Sequence, residues 1–279
     1  MSPMESAASR EGHGSTGPSP EVEIAVLGPV EIRGAARPFC RTSAKELVVY
    51  LAFHRQGARN DVWSTALWTD RCMAPSTLHS TASVARRALG RAANGVDHLP
   101  RGGRRLRLGD TVGTDVERFA RAAADPDPVR WKEALSLVRG RPFDGLCLAD
   151  WAVVDGTQSQ VESMVVATAL RGAEHHLRRG CGEEAEWMIR RAMRVSPYDE
   201  RLYRVLLQAA ESMGNRVGLR AAMAELHLVA TDGAIPWRGP LTRAGTMGSS
   251  SSLHPRTVAL FHELAGSDMP ATRGDPSRL

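Results

Sequence analysis

The hydrophobic period of this chain changes once, and that change constrains its fold more than any other feature. Over "EVEIAVLGPVEIRG" (21–34), Val22, Ile24 and Val26 alternate with Glu21, Glu23 and Ala25. After Gly28-Pro29 the alternation resumes at Val30 and Ile32. A period of two broken by a Gly-Pro turn predicts two short antiparallel strands. From Thr42 onward the spacing is helical, with Ala44, Leu47, Val48, Leu51 and Ala52 on one face of a helix that ends near Gly57. A second helix is expected over 60–70, capped by Asn60 or Asp61 and burying Val62, Trp63, Ala66 and Leu67. Met73-Ala74-Pro75 breaks the chain. A third helix, capped by Ser76 or Thr77, then runs through "TLHSTASVARRALGR" (77–91) to about Gly90.

Two strands followed by three helices constrain what comes next. In "GVDHLPRGGRRLRLGDTVGTD" (95–115), Leu106 and Leu108 alternate with Arg105 and Arg107, and Gly102-Gly103 falls where a tight turn needs positive φ. A terminal hairpin is therefore expected. Strands, three helices and a hairpin form the order of a winged helix, in which the third helix enters the DNA major groove and the hairpin meets the flanking backbone. On the third helix Leu78, Ala82, Ala85 and Leu89 form an apolar stripe, and the other side carries His79, Ser83 and Arg86, with Ser80 and Arg87 beside it. Thr77 and Arg91 stand at its two ends. Ser and Thr allow close approach to a duplex, and arginine forks onto guanine or grips phosphate. In the hairpin, Arg101, Arg104, Arg105 and Arg107 are the candidate backbone contacts.

Charge supports this reading only through its placement. The 36 basic and 31 acidic residues leave a net charge of +5, which is too mild to identify a partner. Lysine occurs only at Lys45 and Lys132, so arginine is the default base of the chain and its abundance carries little information. Between Val84 and Leu108, however, seven arginines face a single acidic residue, Asp97. The basic charge is local.

Beyond Val116 the pattern is helical almost to Ala230. "RRGCGEEAEW" (178–187) is echoed by "SMGNRVGLRA" (212–221), and Gly180 and Gly214 stand 34 residues apart, the period of tetratricopeptide helix pairs. Pro197 falls where such a repeat closes its second helix. The fold class expected is thus mainly α, an N-terminal winged helix-turn-helix followed by an all-α, TPR-like repeat domain. Its boundaries are a polar tail over 1–20, the winged helix over 21–115, the helical domain over 116–265 with a linker-like insertion at 231–253 and a last helix at 255–265, and a tail over 266–279.

Other readings of single residues are weaker. Cys40, Cys72, Cys147 and Cys181 show no metal-ligand spacing and read as reduced, mostly buried small residues of a cytoplasmic protein. No apolar run approaches a membrane span or a signal peptide. His175 and His176 point about 100° apart on a helix and cannot share an ion. Trp63 and Trp68 read as core and rim packing, and Tyr198, Tyr203 and Trp187 as cement of the helical stack. "MGSSSS" lacks the lysine of a phosphate-binding loop, and no nucleophile-elbow, zinc-protease or dinucleotide motif occurs. No enzyme and no cofactor are expected.

At this point the residues meet a resemblance. "RTSAKELVVYLAFHRQGARNDVWSTALWTD", "APSTLHSTASVARRALG" and "HLPRGGRRLRL" resemble the winged-helix domain of the actinobacterial antibiotic regulatory protein (SARP) family. "RPFDGL" (141–146), "SPYDERLYRVLLQAAESMGN" (196–215) and "HPRTVALFHEL" (254–264) resemble the bacterial transcriptional activator domain that follows it. The resemblance spans about 21–265, with 231–253 replacing a compact connection. It implies a transcriptional regulator that binds double-stranded DNA, whose helical domain self-associates or contacts RNA polymerase. It places the DNA-contacting helix on Thr77 to Arg91 and carries over His79, Ser80, Ser83, Arg86 and Arg87. The alternative is a protein-interaction module whose winged helix has lost DNA binding and whose repeats hold a protein partner.

Overall fold

The computed structural model describes residues 20–101, 103–147, 150–230 and 253–267. The alternating segment forms β1 (Val22–Ala25) and β2 (Glu31–Arg33), antiparallel with Ile24 opposite Ile32. A third strand, β3 (Val112–Thr114), joins the free edge of β1 in parallel, giving the order β2-β1-β3. Three helices separate the hairpin from β3: α1 (Thr42–Phe53), α2 (Asn60–Leu67) and α3 (Pro75–Leu89). Their core is Val22, Ile24, Leu47, Leu51, Trp63, Ala85, Leu89 and Leu99, all essentially inaccessible to solvent.

Several local expectations change. The N-cap of α2 is Arg59 rather than Asn60 or Asp61, and the Asn60 side-chain Oδ1 instead accepts from Trp63 Nε1 at 3.1 Å. Val62 faces outward, while Trp63 and Leu67 fill the core. Ala74 precedes α3, with Pro75 at its first helical position, so neither Ser76 nor Thr77 is the cap. α1 stops at Phe53, four residues before Gly57.

No strand ladder flanks the expected Gly102-Gly103 turn among the described residues, and Gly102 itself lies outside them. A tight turn lies earlier, at Asn94-Gly95, where Ala92 N–H donates to Val96 O (2.8 Å) and His98 N–H to Gly90 O (3.2 Å). Leu106 pairs instead with Ala58, between α1 and α2, through two N–H···O bonds of 2.8 and 2.9 Å. Burial is the reason: this pairing carries Leu99 and Leu108 into the core, which a free hairpin would leave in water. Gly103 does adopt positive φ (83°). Gly57, at φ 73°, makes the pairing possible, since a Cβ there would lie 2.8 Å from Leu106 O. Gly57→Ala is expected to lower stability by about 1–3 kcal/mol. A chemical-denaturation midpoint indistinguishable from wild type would refute this.

The second half is helical: α4 (Asp115–Ala124), α5 (Pro128–Ser136), α6 (Asp150–Val154), α7 (Thr157–Arg178), α8 (Gly182–Met193), α9 (Glu200–Ser212), α10 (Arg216–Ala230) and α11 (Pro255–Ser267). A capping box starts α4, with Glu117 N–H donating to Thr114 Oγ1 and Thr114 N–H to Glu117 Oε2. The repeat suspected from the glycines has a structural counterpart. Gly180 and Gly214 both have left-handed φ, and in each case the next N–H reaches five residues back, Cys181 to His176 O and Asn215 to Ala210 O, both at 2.9 Å. These are matching Schellman ends of α7 and α9. The array continues into α11, whose Thr257 hydroxyl donates to Glu200 on α9 and accepts from Arg204, both at 2.7 Å. Phe261 and Leu264 bury themselves there. Tyr203 is buried and its hydroxyl donates to Pro197 O, whereas Tyr198 is 75% exposed and cements nothing. Trp187 is half-buried between Lys132 and Arg191. The cysteines are not core residues: Cys40, Cys72 and Cys147 are exposed and Cys181 is half-buried. No helix among the described residues is long and apolar enough to cross a membrane. "MGSSSS" and most of 231–253 lie outside the described residues.

The two halves are latched together. The buried Asp115 carboxylate accepts the backbone N–H groups of Val26 (2.8 Å) and Leu27 (3.0 Å), just past β1. Residues 139–144, which lead into "RPFDGL", answer from the other side, with Arg139 N–H donating to Leu27 O, Phe143 N–H to Val26 O and Val30 N–H to Asp144 O. Phe143 and Trp151 then close an aromatic cluster with Tyr50, Phe53 and His54 of the α1 end.

Candidate nucleic-acid interface

At about 100° per residue, the faces of α3 follow from its sequence. Leu78, Thr81, Val84, Ala85, Ala88 and Leu89 are buried, an arc wider than the Leu78/Ala82/Ala85/Leu89 stripe and rotated from it, with Ala82 at its half-buried border. Opposite this arc stand His79, Ser83 and Arg87, with Arg86 at one border and Ser80 at the other. His79 and Arg87 are exposed; Thr77, Ser80, Ser83 and Arg86 are half-buried. The first turn of α3 holds no acidic residue and its last turn holds Arg86 and Arg87.

Arg86 ties helix to wing. Its Nε donates to Leu99 O at 2.7 Å, across the loop that follows the Asn94-Gly95 turn. Burial first, and then the nearby Arg101 charge, push its guanidinium below the usual arginine value, with Asp97 opposing.

The other candidates separate by partner. Arg91 pairs with Asp97 (3.0 Å) and Arg107 with Asp110 (2.9 Å). Arg105 donates to Gly57 O at 3.3 Å, beside the Ala58–Leu106 pairing, and serves the fold there. Arg87, Arg101 and Arg104 are exposed and, among the described residues, have no carboxylate partner. One contact had no local signal in the sequence: Arg41, 39 residues upstream, donates from Nη1 to Ser80 Oγ at 2.8 Å.

A cleft of about 870 Å³ between the sheet and α4–α5 also collects arginines. Its charges satisfy one another, Arg55 with Glu117 (2.6 Å) and Arg118 with Glu23 (3.2 Å), so it presents little net field to a ligand. His175 sets its edge against Trp131 and its ring lies 87° from that of His176, a packing arrangement.

Residues 113–222 match the family model of the bacterial transcriptional activator domain. No curated protein matches the chain. Among solved structures, the chain is similar to Mycobacterium tuberculosis EmbR, a SARP-type regulator, in complex with a low-affinity phosphopeptide. The two are 22% identical, the TM-score is 0.54, and the match covers 89% of this chain and 70% of that one. At that identity the likeness concerns the fold. The chain thus carries a stretch matching the bacterial transcriptional activator domain behind an N-terminal three-helix domain with a small sheet, in a fold like that of EmbR.

Proposed function

We propose that this protein binds double-stranded DNA sequence-specifically, with α3 in the major groove and the 90–111 wing on the adjacent phosphates. The helical half, from about residue 116, then self-associates or meets RNA polymerase in the cytoplasm. One observation carries the reading. The exposed face of α3 offers His79, Ser83 and Arg87, and beside it Arg101 and Arg104 stand without carboxylate partners among the described residues. Other arginines of the winged helix are neutralised, as Arg33 is by Glu31 and Arg55 by Glu117. Unneutralised guanidinium groups beside a helix of small polar residues suit a phosphate backbone on either side of a read groove.

In vitro selection from random duplexes tests this and is expected to enrich one sequence motif. On that duplex, R101A/R104A should flatten the dependence of log K on log salt by about 2, since each phosphate contact contributes about 0.9. Its effect should be uniform across sequences. Failure to enrich any duplex, together with capture of one protein partner by the full chain, would favour the interaction-module alternative.

A further inference from the structure

The segment between β2 and α1, "ARPFCR" (36–41), lies along α3. Ala36 N–H donates to Leu89 O (3.4 Å), Arg37 N–H to Ala88 O (3.0 Å), and Arg41 Nη1 to Ser80 Oγ (2.8 Å). From Ala88 back to Ser80 is about 12 Å of helix at the usual rise per residue. Gly90 admits the close approach, because a Cβ there would lie 2.6 Å from Ala36 Cβ. Ser80 and Arg86 stand about 120° apart around α3 with Ser83 between them. The wing therefore meets α3 at one border of its exposed face, through Arg86, and this strap meets it at the other.

We propose that the 36–41 strap is a second phosphate-gripping edge of the interface, with Arg37 and Arg41 as its contacts; the inference rests on the DNA-binding reading above. Both side chains are exposed, and neither has a carboxylate partner among the described residues. The geometry requires such an edge. A helix about 10–12 Å across fills a major groove about 12 Å wide, so a phosphate strand runs along each of its borders. Arg101 and Arg104 can reach only the strand on the wing side. On the other side the strap supplies the cations. The Arg41–Ser80 bond adds a second effect. Because the guanidinium donates to Ser80 Oγ, the hydroxyl proton of Ser80 is left to donate outward, toward a phosphate oxygen or base acceptor.

Fluorescence anisotropy of the full chain on a fluorescein-labelled duplex, enriched by in vitro selection, tests the strap. R37A/R41A is expected to raise Kd about tenfold at about 0.1 M salt and to flatten the salt slope by about 2, leaving discrimination between matched and mismatched duplexes unchanged. R37K/R41K keeps the charges and should keep the slope. If the alanine variant retains the wild-type slope while R101A/R104A loses it, the strap has no phosphate role and the DNA-binding reading stands. A wild-type chain that enriches no duplex overturns both. If the alanine variant binds weakly but unfolds at lower urea, and the lysine variant restores neither, the strap serves folding instead.

Discussion

Replacing Asp115 with alanine is expected to destabilise the protein by about 3–5 kcal/mol. The carboxylate is 1% exposed and accepts two backbone N–H groups, from Val26 and Leu27, with Arg139 Nη2 at 3.7 Å. Alanine leaves two buried donors without acceptors, each worth about 1–3 kcal/mol, and leaves the Arg139 guanidinium with Glu31 as its remaining carboxylate. These donors follow β1 while Asp115 begins α4, so the loss falls on the latch between the halves. Asp115→Asn keeps an acceptor oxygen for one of the two N–H groups but turns its NH2 toward the other, so it should recover only part of the loss. The comparison also has a pH signature. Burial raises the Asp115 carboxyl above its ordinary 3.8, against the opposing pull of the two N–H groups and Arg139. The native state then holds the proton more tightly than the unfolded chain, so wild type loses stability relative to D115N as pH rises through that interval. Urea denaturation followed by tryptophan fluorescence measures both effects. An alanine variant within about 1 kcal/mol of wild type would contradict the latch.

Replacing Arg86 and Arg87 with alanine is expected to weaken DNA binding by on the order of 1–3 kcal/mol each. The two variants should differ in stability. Arg87 is exposed and its Nε makes only a 3.4 Å contact with Ser83 O, so R87A should unfold within about 0.5 kcal/mol of wild type. Arg86 holds the wing through Leu99 O, so R86A should also lose about 1 kcal/mol of stability. Anisotropy on the best selected duplex, paired with urea unfolding, separates the effects. A double variant that binds as tightly as wild type would remove α3 from the interface.

The legible parts of the site are those written in local periodicity. The existence of α3, the placing of His79 and Ser83 opposite its buried face, and the repeat marked by Gly180 and Gly214 follow from helical spacing and from glycine at helix ends. The illegible parts depend on contacts distant in sequence. Nothing local to Arg86 signals its bond to Leu99 O, and nothing local to Arg105 signals its bond to Gly57 O. Arg41 carries no local mark at all. Two apolar expectations fail for a related reason: Val62 and the cysteines have the chemistry of core residues, but on a small domain there is more apolar surface than core to hold it.

By itself the sequence determined the first two strands, the three helices that follow and where the arginines gather, because propensity and periodicity act over a few residues. Tertiary structure alone decided the register of the wing on Ala58, the parallel addition of β3 to β1, the latch at Asp115 and the division of the arginines into bonded and free. Those outcomes are settled by which buried backbone donors and acceptors find partners across the fold, and that accounting closes only when the whole chain is in place.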